Sequence, residues 1–191
     1  MATALSRHLA GIENGLRRLG RERTISLMHA GIPAAEVDAA LYSVGLASSD
    51  QLRAWFAWHN GTDGGTLGEL AILPGYHQSS LGKVVASYRA FQDDPRWRRG
   101  WIPLLADGGG DFLVLDQSVG EEPWPVREFV IDEAEAPVEY VDVEAFAATV
   151  ADAYAAGLFT DQPGYLSIAG RADDYARLAA GRNPGVAWWT E

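Results

Sequence analysis

Leu5, Leu9, Ile12, Leu16 and Leu19 recur at steps of four and three, which places them on one stripe of an opening amphipathic helix with arginines over much of the remainder. Gly11 and Gly15 fall inside that pattern and Gly20 just after it, which weakens a continuous helix. The stripe is read as packing on its own domain; a membrane-surface or transit segment is the alternative that a basic amphipathic helix also fits. A second helix starts at Pro33, carries Val37, Ala40, Leu41 and Val44 inward, and stops at Gly45. Ser48 and Gln51 have capping-box spacing and open a third. It presents Leu52, Trp55, Phe56 and His59 on adjoining turns, with Asn60 and Gly61 as its stop.

Beyond this point the period shortens. Residues 66–73 read as a strand closed by Pro74 and Gly75, and a helix over 80–91 carries Leu81, Val84, Val85, Tyr88 and Phe91 until Asp93, Asp94 and Pro95 break it. Residues 101–105 and 112–115 are two short strands joined by a glycine turn at 107–110. A third strand spans 126–131, and Val138, Tyr140 and Val141 supply a fourth. Helices over 143–158 and 172–180 follow, and the chain closes on Trp188 and Trp189. Helices, then clustered strands, then helices predict an α+β fold: a mainly antiparallel or mixed sheet of about four to six strands, covered by helices on one side. The expected organisation is an N-terminal helical extension (1–31), an α+β domain (32–160) and a C-terminal helical tail (161–191) packed on it as a single globular unit.

Composition narrows the classes. At 48% hydrophobic and 21% charged residues the chain is of ordinary globular type, and no stretch approaches the roughly 20 apolar residues of a membrane span. The absence of cysteine removes disulfides, thiol nucleophiles and cysteine-ligated zinc. The first 25 residues lack the pattern of a secretory signal, so a cytoplasmic location is expected. A net charge of −11 repels phosphate backbones, so no nucleic-acid partner is expected. The charge is uneven. The first 25 residues carry +3, whereas residues 107–144 hold twelve acids against Arg127 alone.

The candidate chemistry is sparse. Gly108 to Gly110 lead into a strand, whereas phosphate loops lead into a helix, so the turn is read as a strand connection. Asp107, Asp111 and Asp116 are conceivable oxygen ligands, but Asp111 and Asp116 point to opposite faces of a regular strand. His8, His29, His59 and His77 form no ligand spacing; His59 is a candidate general base or, more simply, a capping histidine. No catalytic residue, cofactor or metal ligand is assigned. Glu121, Glu122, Asp132 and Glu133 are weighed as an acidic face that steers a basic protein partner, with Trp124 and Tyr140 as aromatic anchors. The alternative is a solvated acidic surface that keeps the protein soluble.

Taken together, Trp58-His59-Asn60-Gly61, Trp101-Ile102-Pro103-Leu104, Asp107-Gly108-Gly109-Gly110-Asp111 and the strand running to Asp116 resemble the SUKH superfamily over about residues 33–158. These are bacterial relatives of the fungal cell-wall-assembly regulators of the Smi/Knr type. The resemblance implies an α+β domain without catalytic residues, and a role as an immunity protein that binds and neutralises a cognate toxin. It implies structural or interface-shaping roles for Trp58, Asn60, Gly61, Trp101, Pro103, Gly110, Asp111 and Asp116. Two other readings stay open: a regulatory scaffold whose N-terminal helix helps dock a client, and a small hydrolase using His59. Trp188 and Trp189 are expected to pack on the domain or in a homo-oligomer contact.

Overall fold

The computed structural model describes residues 3–168 and 170–190. In chain order the elements are α1 (Ala4–Arg18), α2 (Glu22–Ser26), β1 (Met28–Ala30), α3 (Ala34–Tyr42), α4 (Asp50–Trp58), β2 (His59–Thr62), α5 (Leu67–Leu70), β3 (Ala71–Leu73) and β4 (Tyr76–Gln78). They continue with α6 (Leu81–Phe91), β5 (Trp101–Ala106), β6 (Phe112–Asp116), β7 (Val126–Phe129), β8 (Val138–Tyr140), α7 (Val143–Ala155), β9 (Thr160–Gln162), β10 (Tyr165–Ser167) and α8 (Ala172–Arg182). The fold is α+β. Strands β3 to β8 form a six-stranded meander in which each strand pairs antiparallel with its chain neighbours. No helix among the described residues is long and apolar enough to cross a membrane.

The opening helix forms as its stripe predicts, and its glycines do not break it because they are packing residues: a Cβ on Gly15 would stand 2.3 Å from the Tyr154 ring. Omitting it lets α1 lie directly on α7, and Leu5, Leu9, Ile12 and Leu16 are buried there. The N-terminal segment is therefore part of the core. Ser49, one residue later than expected, caps α4 by accepting from the Leu52 amide at 3.1 Å. Gln51 instead bridges to the start of α7, donating to Asp142 and accepting from the Val143 amide, both at 3.0 Å. That helix also ends early: His59 is already extended and begins β2. The expected strand over 66–73 is divided, since Thr66 and Glu69 form a reciprocal capping box that turns 67–70 into a short helix before β3.

Both faces of the sheet are covered, not one. Partners Phe112 and Phe129 share one face, where they meet Phe91 of α6, Trp97 and Trp101 in an edge-to-face cluster with centroids 5.2–5.9 Å apart. Partners Val126 and Tyr140 face the other way, where the Tyr140 ring meets Phe146 of α7 at 5.1 Å. Every residue of β6 is consequently buried. A single hydrophobic core runs from Leu5 to Ala179. Arg21, 6% exposed, ties distant segments to one another: its guanidinium donates to Asp161 at 2.5 Å and to the carbonyls of Gly68 and Ala71.

Candidate acidic cleft

The last element pair sets up the site. Asn183, 1% exposed at the end of α8, accepts from the Val141 amide at 3.1 Å and donates to Thr149 and to the Ala179 carbonyl. This anchor turns the tail along the outer edge strand, β8. Val186 is buried, and Trp189 packs between the Tyr140 and Tyr175 rings while its indole donates to the Glu139 carbonyl. The edge strand is thereby closed to further pairing. Trp188, on the neighbouring position, is left 48% exposed.

Between this tail and the β7–β8 connection lies a cleft of about 770 Å3. Trp188, Val186, Val130 and Pro137 give it apolar walls, and Glu128, Glu133 and Glu135 give it charge. Next to Glu128, Glu139 is 7% exposed, and its carboxyl is pushed up to about 8, first by burial and then by the charge and hydrogen bond of Glu128. Tyr76 donates its hydroxyl to Glu128 at 2.7 Å, and burial together with that carboxylate raises its own ionisation well above the usual range. Glu139 is therefore held as the neutral acid at pH 7, next to its neighbour's carboxylate.

The acids weighed from sequence do not form one face. Glu121, Glu122, Asp132 and Glu133 are all exposed, but the first two precede β7 and the last two follow it, so the strand holds the pairs about 10 Å or more apart. Only Glu133 reaches the cleft. Trp124 and Tyr140 are not surface anchors. Trp124 is 7% exposed and pins its own loop by donating to the Gly120 carbonyl at 2.8 Å, and Tyr140 is 1% exposed with its hydroxyl 2.9 Å from that of Tyr175. Trp188, Glu128 and Glu135 line the cleft instead. The exposed Trp188 next to a half-buried Trp189 was the one sequence signal for this site, and a helical or strand period does not separate the two.

The residues on which the sequence resemblance rests are all engaged within the fold. The Trp58 indole donates to Glu13 at 2.7 Å, and the Asn60 side chain accepts from the Leu81 amide at 2.8 Å. Gly61 has φ of +83°, and a Cβ there would meet the Ser80 nitrogen at 2.3 Å. Pro103 sits at a register shift of β5, where its missing N–H is tolerated. Trp101 belongs to the aromatic cluster, and Gly110 turns with φ of +122°. Asp111 accepts from the Ile131 amide at 2.9 Å, while buried Asp116 accepts from Ser118 and pairs with Arg127 at 2.6 Å. Asp107 accepts from the amides of Gly109, Gly110 and Asp111.

His59 is likewise occupied. Its Nδ1 lies 3.0 Å from the His29 carbonyl and its Nε2 3.1 Å from Glu13, which also takes the guanidinium of Arg17 at 2.7 Å. Burial works against the Glu13 charge, but the hydrogen bonds from Trp58, His59 and Arg17 outweigh it and hold that carboxyl below its ordinary value. This is a fastening of α1 to α4 and β2. No protein-family model matches the chain, and no curated protein matches it.

Proposed function

We propose that this chain is a non-enzymatic protein-binding domain of the immunity type, which engages a basic protein partner such as a cationic toxin domain through the acidic cleft. The observation that carries the reading is the half-exposed Trp188 standing over Glu128, Glu133 and Glu135. An indole face beside carboxylates suits an arginine or lysine side chain, which gains a cation–π contact and charge-assisted hydrogen bonds at one point. The surrounding charge excess steers a basic partner toward that point. Such a domain acts by covering its partner's surface. A scaffold that docks by its first helix has less support, since the apolar stripe of α1 is already buried on α7.

The test is parallel affinity purification from the native host with the tagged wild type and a Glu133→Lys/Glu135→Lys/Trp188→Ala variant, at low and moderate salt. The expected result is a stoichiometric basic protein retained by the wild type, weakened by salt and lost with the variant at unchanged circular dichroism. Equal retention by both, or partners without basic character, overturns the reading.

A further inference from the structure

Beside the sheet's glycine turn, β4, α6 and the β5–β6 connection line a second cavity of about 260 Å3. Its floor is the apolar edge of Phe112 and Ala106, and its polar lining is His77, Ser79, Ser87 and Lys83. Three features set it apart from an ordinary surface dimple. Ser79 is only 4% exposed, yet its hydroxyl has no hydrogen-bond partner among the described residues, although it lines open space. Facing that open space, the hydroxyl is free to donate to whatever enters the cavity. Lys83, the sole lysine of the chain, stands exposed at the rim and has no ion-pair partner among the described residues. His77, 6% exposed, is kept neutral by burial and then by the charge of Lys83, so its ring adds a neutral polar group to the lining.

We infer that this cavity is a binding site for a small monocarboxylate with a short apolar body, its carboxylate held by Lys83 and the Ser79 hydroxyl and its body resting on Phe112. One cation and one hydroxyl donor match a single carboxylate, and the apolar floor matches a hydrocarbon or aromatic body. A dianion is a poorer fit. Asp107 borders the site, and although its Oδ1 is engaged by three backbone amides, its charge opposes a second negative unit. The site is separate from the acidic cleft and stands whether or not that cleft binds a protein.

Titration of the 15N-labelled full chain with sodium benzoate, benzamide and inorganic phosphate at matched ionic strength tests it. Benzoate is expected to give saturable shifts at the amides of Ser79, Lys83, Ser87 and Gly108 to Gly110, with neither control doing so. Lys83→Gln, on an exposed side chain, is expected to weaken benzoate about tenfold, equivalent to about 1.4 kcal/mol, with the spectrum otherwise unchanged. Ser79→Ala is expected to weaken it by a smaller factor. Absence of saturation, equal binding of benzamide or phosphate, or an unchanged affinity in Lys83→Gln each overturns the assignment.

Discussion

Glu13 and Glu139 are both largely withdrawn from water, one at the seam of α1 with α4 and the other against Glu128 of the acidic cleft, and they end in opposite protonation states. Glu13 receives the Trp58 indole, His59 and Arg17, and these donors hold it ionised. Glu139 is buried more deeply and faces another carboxylate, Glu128, so it keeps its proton. Burial pushes both in the same direction. The supply of donors decides which way each one settles.

The comparison has opposite signs in pH. For Glu139 the folded value lies above the unfolded one, so its contribution is fully present below about 4.5 and is lost as pH rises through about 8. Glu139→Gln, which copies the neutral acid, is expected to give the largest change, a gain of several kcal/mol at pH 9 over pH 5. The difference accumulates at about 1.4 kcal/mol per unit of pH, read from urea unfolding across that range. Parallel stability curves for wild type and variant between pH 5 and pH 8 would show that Glu139 is ionised in the fold. Glu13 behaves in the reverse sense: its contribution is present above about 4.5 and is lost as pH falls below that, through its lower folded value.

Glu13→Ala strands the Trp58 and His59 donors, and a loss of about 1–3 kcal/mol at pH 7 is expected from the urea midpoint. Glu13→Gln should recover part of it, since its oxygen still accepts from Trp58. Acids with neither burial nor donors should show the smallest effect: Glu121→Lys with Glu122→Lys is expected to move stability by no more than about 0.5 kcal/mol. Because that pair lies beyond the far end of β7 from the cleft, it should also leave partner capture intact, where Glu133→Lys with Glu135→Lys abolishes it.

The parts of the fold with a clean period were legible. The stripe of α1, the apolar spacing of α6 and α7, and the strands over 101–116 all follow from the order of residues. Coverage of both sheet faces was not, although the unbroken apolar run Phe112 to Leu115 is what a doubly buried strand requires. The β9–β10 hairpin was missed because Thr160, Asp161 and Gln162 carry no alternation, and its position depends on Arg21 reaching Asp161 from the other end of the chain. The cleft was half legible. The acidic run 107–144 marked the region, but the strand register decides that Glu128 and Glu139 meet, and that register shifts within the β7–β8 pair. Trp124 and Tyr140 looked available because an aromatic residue amid acids does not reveal its own direction.

The seating of α1 on α7 has a consequence during synthesis. The surface that receives Leu9, Ile12 and Leu16 begins only at Val143, about 125 residues after α1 is complete. At roughly 5–20 residues per second this interval is on the order of ten seconds. The apolar stripe of the first helix waits through it without its permanent cover.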